Sequence, residues 1–179
     1  MFGMALHPVL QEKLIAGLVP VRLEGLTPRD ALLPAIKNKL HTLLGMRRVG
    51  KTACLRQVQE TQQRTLAPER SVYLSFDDDR LADLPLFQLD AVLEEYYRMF
   101  PEFRGREPVW WFFDGIQMVS GWERFVRRLI DTEKAAVVVS GSSPRLLSRE
   151  VYTSLRGCSG VSSRRADPRR FDAGPSGPN

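Results

Sequence analysis

Long hydrophobic runs, cysteines and an export signal are scarce or missing in this sequence. The longest apolar runs, such as Val109–Phe113, are far shorter than the roughly 20 residues that a membrane-spanning helix needs. The first residues, Met1–Met4, do not open a basic segment followed by an apolar stretch, which a signal peptide requires. The two cysteines, Cys54 and Cys158, lie in unrelated contexts and predict no disulfide framework. We therefore expect a cytoplasmic protein with no membrane segment.

Histidine is also rare, which bears on whether a metal site or a histidine-dependent hydrolase is to be expected. His41 alternates within an apolar run and has no metal-ligating neighbour at the usual spacing. No Ser/His/Asp or Cys/His arrangement typical of a covalent hydrolase stands out. The sequence therefore predicts neither a transition-metal site nor a hydrolase nucleophile.

Positive charge is in slight excess, with a formal net charge of +5, and much of it lies near the C-terminus. The arginines of this last segment are Arg156, Arg164, Arg165, Arg169 and Arg170. Such a cluster can contact nucleic-acid phosphates. Aromatic side chains are not interleaved with it, as they would be on a single-strand binding surface. Nucleic-acid binding therefore stays a hypothesis that depends on a basic tail.

Apolar runs and amphipathic segments alternate along the middle of the chain. Buried strands are predicted at Leu40–Leu44, Ser71–Phe76, Val109–Phe113 and Ala135–Val139. Helices are predicted between them at Lys51–Gln63, Pro85–Phe100 and Trp122–Glu133. This order predicts an α/β fold of three layers, a parallel sheet of at least four strands with helices on both faces.

The sequence is predicted to divide into three segments. Residues 1–26 form a helical lead-in broken by Gly17 and Pro20. Thr27 resembles a helix N-cap and opens the folded domain, residues 27–157. Residues 158–179 contain almost no apolar side chains, so they cannot bury enough surface to offset the entropy of ordering. We expect this tail to be disordered.

The segment Gly45–Thr52 matches the phosphate-loop pattern G-x-x-x-x-G-K-[ST] between a strand and a helix. Its glycines allow backbone N–H groups to face a phosphate, and the helix that follows adds the positive end of its dipole. Lys51 is expected to contact the β- and γ-phosphates, which also makes it a catalytic candidate, and the Thr52 hydroxyl to ligate Mg²⁺. The predicted nucleotide-binding residues are Gly45, Met46, Arg47, Arg48, Val49, Gly50, Lys51, Thr52 and Ala53.

A second acidic position is needed to hold magnesium in such a site. Asp114 supplies it at the end of the apolar strand Val109–Phe113. The alternative is that Asp114 only forms a turn with Gly115, because Asp-Gly is a common turn pair. The phosphate loop favours Asp114 as a magnesium ligand.

Five motifs, taken in order, resemble a known family. They are Gly45–Thr52, Tyr73–Leu81, Phe113–Gln117, Gly121–Glu123 and Gly141–Leu147. Together they are similar to the motifs of AAA-like ATPases of archaea and bacteria, which pair a G-x-R-R-x-G-K-T loop with a D-E-I-Q second motif. The resemblance runs from about Asp30 to Gly157 and implies ATP, rather than GTP, as the nucleotide.

The resemblance also implies a topology. It implies the additional-strand ATPase core with strand order 5-1-4-3-2. Family members continue beyond the position of Gly157, so we expect a truncated or frame-shifted member. Without a fifth strand, Leu40–Leu44 would form an unpaired apolar edge.

Further site residues follow from the resemblance alone. The second-motif glutamate that acts as general base in the family is Gly115 here, which implies retained binding and weak hydrolysis. Asp77 or Asp78 could partly replace that glutamate, or form only a solvated turn. Ser140, with Ser142, resembles a sensor of the γ-phosphate, although turn chemistry would also explain these serines. Arg156 resembles an arginine that neutralises γ-phosphate charge, in cis or from a neighbouring subunit.

Three functions follow from these observations. The first is an MgATP-binding ATPase domain with weak hydrolysis. The second is a module in which ATP is held without being consumed and controls contact with a protein partner or a second copy of the chain. The third is a nucleic-acid binder that uses the basic tail, with the steep salt dependence of phosphate contacts.

Overall fold

The computed structural model describes residues 5–22, 40–44, 51–141 and 164–165. Its helices are α1 (Pro8–Leu18), α2 (Lys51–Gln63), α3 (Phe87–Met99) and α4 (Trp122–Thr132). Its strands are β1 (Leu40–Leu44), β2 (Ser71–Ser75), β3 (Val109–Asp114), β4 (Ala135–Gly141) and β5 (Arg164–Arg165). No helix in these ranges is both long and apolar enough to cross a membrane.

The strands form one parallel sheet in the order β2-β3-β4-β1-β5. This is the predicted order, and it confirms the α/β fold class. The register places Ser75 opposite Asp114 and Asp114 opposite Ser140, so three strands end at the same level. Ligands of parallel α/β sheets bind beyond the carboxyl ends of the strands.

One prediction about this sheet is wrong. Leu43 and Leu44 pair in parallel with Arg164 and Arg165, so β1 is not an unpaired edge. Strands pair through backbone N–H and C=O groups rather than through apolar side chains. A dipeptide of polar residues can therefore pair with β1. The other residues of the predicted disordered tail lie outside the described residues.

Each central strand alternates its side chains between two apolar clusters. The larger cluster lies between the sheet and α1, α3 and α4, and the side chains that these three helices share with it include Leu10, Leu14, Leu89, Tyr96, Phe125 and Leu129. The smaller cluster lies between the sheet and α2, and its members are Leu55, Val58, Tyr73, Trp110, Phe112, Ala136 and Val138. Helices on both faces complete the predicted three layers.

The N-terminal helix corrects a second prediction. Gly17 does not break α1, which continues to Leu18. A Cβ atom at position 17 would lie 1.8 Å from the backbone oxygen of Tyr73, so glycine allows α1 to pack directly on the edge strand β2. The helix predicted from Thr27 lies outside the described residues.

Candidate nucleotide-binding site

The first part of the candidate site is the beginning of α2. Lys51 is its first residue, and Thr52 and Ala53 follow in the first turn. Six residues separate the end of β1 from this turn, which is the chain order that a phosphate loop requires. Gly45, Met46, Arg47, Arg48, Val49 and Gly50 lie outside the described residues, so their backbone geometry stays a prediction.

The second part is Asp114, the last residue of β3, which is half-buried. Thr52 donates a hydrogen bond from Oγ1 to Asp114 Oδ2 at 2.7 Å, although 62 residues separate the two in sequence. The fold therefore brings together the two residues that the sequence assigns to magnesium. The alternative, in which Asp114 serves only its own turn, does not explain a side chain aimed at α2.

Two further hydroxyl groups complete the surroundings of this carboxylate. Ser140, at the end of β4 and fully buried, donates from Oγ to Asp114 Oδ1. Tyr73, on β2, donates from its hydroxyl to Asp114 Oδ2 at 3.0 Å. Burial, together with the adjacent Asp114 carboxylate, raises the pKa of the Tyr73 hydroxyl, which keeps it protonated as a donor. Three strands and α2 thus converge on one acidic side chain.

Arg56 connects this cluster to α2 on its other side. Its guanidinium carbon lies 3.4 Å from the centroid of the Tyr73 ring, a cation–π contact. Its Nη1 donates to Gln59 Oε1 at 2.9 Å. Burial lowers the pKa of Arg56, while Tyr73 and Asp114 oppose the change, and an arginine remains a cation throughout.

Sequence reasoning missed both Tyr73 and Arg56 as parts of the site. A signal for Arg56 was present, since it follows Thr52 by four residues and so lies one turn further along the same face of the helix. The signal for Tyr73 was weaker, because the register places Ser75, and not Tyr73, opposite Asp114. Tyr73 lies two residues before Ser75 on β2, and its long side chain reaches the Asp114 carboxylate.

The donor set suits magnesium. Mg²⁺ prefers oxygen ligands and in nucleotide sites is held by one or two protein groups, with phosphate and water oxygens completing its shell. Asp114 supplies a carboxylate and Thr52 a hydroxyl, and the 2.7 Å hydrogen bond between them places the two groups side by side. The hydroxyl can ligate a cation through a lone pair while its proton still points at the carboxylate.

The turn after Asp114 explains why a glycine fits at position 115. Gly115 has φ 77° and ψ 18°, a left-handed conformation that costs other L-residues about 1–2 kcal/mol. A Cβ atom there would lie 3.5 Å from the backbone nitrogen of Asp77 and 3.8 Å from its Cβ. A side chain at position 115 would therefore leave the backbone toward Asp77, without a steric clash at its first atom.

The neighbouring aspartates differ in their contacts. Asp78 pairs with Lys13 at 3.0 Å and with Arg80 at 2.9 Å, so it joins the loop after β2 to α1. Arg80, and secondarily Lys13, lower the pKa of Asp78 well below its usual range. Asp77 is exposed and lies beside Gly115. Of the two acids that the sequence offers as replacements for the missing glutamate, Asp77 is the one next to that position.

The remaining predicted site residues, Ser142 and Arg156, lie outside the described residues. Their sensor and arginine roles stay predictions.

Comparison with known proteins agrees with this geometry. The family model described as AAA domain matches residues 37–163. The chain belongs to this AAA domain family. It is therefore a nucleotide-binding, ATPase-like domain, and the predicted family is confirmed.

The similar proteins are longer than this chain. An uncharacterized protein of Methanocaldococcus jannaschii is 36% identical over 129 residues, which are 72% of this chain and 27% of that protein. An uncharacterized protein of Haemophilus influenzae is 29% identical over 66% of this chain and 29% of its own length. A second M. jannaschii protein is 32% identical over 64% of this chain and 24% of its length. The chain thus spans between 24% and 29% of the length of these relatives.

Among solved structures, the chain is similar to PCH-2 of C. elegans. The TM-score is 0.44 and the sequence identity 14%, over 72% of this chain and 35% of PCH-2. So distant a likeness has no bearing on function.

Proposed function

We propose that this domain binds MgATP at the carboxyl edge of its sheet and hydrolyses it weakly. Lys51 and the amides of residues 45–50 would hold the phosphates, and Thr52 and Asp114 would hold magnesium. The observation that carries the proposal is the 2.7 Å hydrogen bond from Thr52 to Asp114, which joins the start of α2 to the end of β3. When bound, the metal would neutralise phosphate charge and orient the γ-phosphoryl group.

The chain's own residues would prepare that site. Ser140 is a buried donor on Asp114 Oδ1, which leaves its hydroxyl oxygen available to accept a hydrogen bond. Gly115 has no side chain with which to polarise an attacking water, so turnover should be slow. Because positioning and electrostatics account for most of phosphoryl-transfer catalysis, slow hydrolysis remains compatible with the site.

Equilibrium binding tests this proposal. We expect calorimetry to detect MgATP binding to the wild type and a weakening of at least about tenfold in Lys51→Ala, since hydrogen bonds to charged groups contribute about 1.5–3 kcal/mol. Lys134→Ala is the matched control, because Lys134 lies at the opposite end of the sheet, immediately before β4, where it donates to the Arg106 carbonyl. Equal affinity in the wild type and Lys51→Ala would contradict the proposal.

A second function is a module that binds ATP without consuming it. Gly115 favours it, because the position after Asp114 is buried, left-handed and without a side chain. In that case MgATP would change the protein's contacts with a partner or a second copy. The two functions differ in one measurement: phosphate release under single-turnover conditions is expected for the first and absent for the second.

A further inference from the structure

We infer that Tyr73 is a positioning residue for the magnesium carboxylate, and that Arg56 holds Tyr73 in place. The inference rests on the proposed MgATP site. Neither residue is expected to touch the nucleotide or the metal. Both act through Asp114.

The hydrogen bonds of Asp114 define its orientation. Oδ2 accepts from Thr52 at 2.7 Å and from Tyr73 at 3.0 Å, while Oδ1 accepts from Ser140. A carboxylate has about four lone-pair sites, so these three donors fix its plane and leave one site, on Oδ1, for a cation. Donors on both oxygens oppose rotation of the group about its Cβ–Cγ bond.

Tyr73 differs from the other two donors in its relation to the metal and to Oδ2. Thr52 is itself an expected magnesium ligand, and Ser140 binds the other oxygen. Tyr73 is therefore the donor to Oδ2 that has no expected contact with the metal. It comes from the neighbouring strand β2, so its hydrogen bond also ties the end of β3 to the edge of the sheet.

The Tyr73 ring is fixed by a chain of contacts from α2. Arg56 lies over the ring at 3.4 Å and donates to Gln59. Gln59 is fully buried and donates from Nε2 to the carbonyl oxygens of Ser71 at 3.0 Å and Gly17 at 3.2 Å. α2, the helix that carries Thr52, thus also holds Tyr73, the residue that orients Asp114.

This arrangement predicts a selective defect. Loss of an outer hydrogen bond to a metal ligand typically costs 10–100-fold in metal affinity. Contacts between Lys51 and the phosphates do not pass through Tyr73. Removing the Tyr73 hydroxyl should therefore weaken the effect of magnesium on ATP binding and leave ATP binding without magnesium unchanged.

Tyr73→Phe is the direct test, because it keeps the ring under Arg56 and removes only the donor. We would measure ATP affinity by calorimetry in EDTA and over a series of Mg²⁺ concentrations, together with thermal unfolding of the free protein. We expect wild-type affinity in EDTA and a Mg²⁺ requirement raised about 10–100-fold.

Tyr96→Phe is the matched control. Tyr96 is also a buried tyrosine, on α3, and its hydroxyl donates to the Glu69 carbonyl at 2.8 Å, away from Asp114. This variant should keep the wild-type Mg²⁺ requirement. Arg56→Met should change the requirement in the same direction as Tyr73→Phe, by a smaller factor, because the hydroxyl remains.

The possible results separate the inference from the proposed function. A wild-type Mg²⁺ requirement in Tyr73→Phe would overturn the inference, and so would an equal loss of affinity in EDTA and in Mg²⁺, since that marks a general structural role. If the wild type bound no ATP under either condition, the proposed function itself would fail and the inference with it.

Discussion

The two faces of the sheet do different work in this domain. The face under α1, α3 and α4 is packed with apolar side chains, whereas the face under α2 combines a smaller apolar cluster with the polar chain of Arg56, Tyr73 and Asp114. Trp111 and Trp110 are neighbours on β3 and belong to opposite faces. Within the described ranges, the first face holds most of the buried apolar side chains and the second holds the candidate site.

The difference shows how one strand can serve both purposes. Period-two alternation sends every second residue of β3 into the large cluster, so most of the apolar packing does not depend on the residues facing α2. The strand's last residue is then available for a carboxylate. Substitutions on the large face should therefore lower stability, and those on the α2 face should alter nucleotide binding.

The largest expected effect comes from Trp111→Ala. Trp111 is 1% exposed, and truncating a buried tryptophan typically costs about 3–5 kcal/mol of unfolding free energy. Urea unfolding followed by circular dichroism would measure the loss. Molecules that remain folded should keep their ATP affinity.

Trp110→Ala is the comparison for that variant. It should also destabilise the protein, but it removes support from the cluster beneath α2 and should weaken ATP binding as well. If Trp111→Ala weakened the ATP affinity of folded molecules more than Trp110→Ala, the division between the faces would be wrong.

The next effect concerns chemistry at position 115. Gly115→Glu should raise the rate of ATP hydrolysis by about 10²-fold, the low end of what a general base supplies. Gly115→Gln carries the same left-handed backbone cost without a base, so it separates catalysis from strain. Phosphate release at saturating MgATP is the measurement, and equal rates in the two variants would contradict the account.

Asp77 supplies a related comparison. Asp77→Asn should lower any residual turnover of the wild type, because Asp77 is the carboxylate beside Gly115. Asp79→Asn removes an exposed carboxylate two residues away and should leave turnover unchanged. The same phosphate-release assay measures both variants, and matching rates would exclude Asp77 from the reaction.

A smaller effect is expected at Gly17, where α1 packs against the backbone of β2 beside Tyr73. Gly17→Ala places a Cβ atom 1.8 Å from the Tyr73 carbonyl oxygen, so α1 must shift, at a cost of about 1–3 kcal/mol. Ala16→Ser, at the exposed neighbouring position, should cost only about 0.5 kcal/mol. Thermal unfolding would record both. An ATP affinity that fell in proportion to stability would show that the two faces are coupled through β2.

The smallest effect is the pH dependence of the Asp78 contacts. Arg80 and Lys13 lower the pKa of Asp78 in the folded state, so their stabilisation is complete above the unfolded pKa near 4. It is lost as the pH falls further, through the folded pKa. Asp78→Asn should therefore be less stable than the wild type at pH 7, and the difference should shrink below about pH 4. A difference independent of pH would contradict this assignment.

Much of the fold could be predicted because its signals are local. β3 and β4 begin with unbroken apolar runs, β1 is mostly apolar, and α2 to α4 carry apolar residues at helical spacing. The bounds of these elements therefore differ from the predicted ones by no more than two residues. Lys51, Thr52 and Asp114 belong to motifs with fixed positions. Their chemistry is therefore visible in the sequence.

What could not be predicted depends on pairing across the fold. β5 is two arginines that carry no apolar pattern, and only the partner backbone of β1 reveals it. Glycine is a poor helix former, which is why Gly17 is predicted to break α1. In the structure it instead allows α1 to approach the backbone of Tyr73 closely. Tyr73 and Arg56 become site residues through the register of β2 and β3 and the position of α2. None of these is encoded in a single segment.

The central claim is that Thr52 and Asp114 form one magnesium site for a bound nucleotide. The most direct measurement is ATP affinity with and without Mg²⁺ for the wild type and Asp114→Asn, which keeps the shape of the side chain. We predict that Mg²⁺ tightens ATP binding to the wild type, and that this gain disappears in Asp114→Asn while affinity in EDTA is maintained. An undiminished magnesium effect in Asp114→Asn would contradict the account.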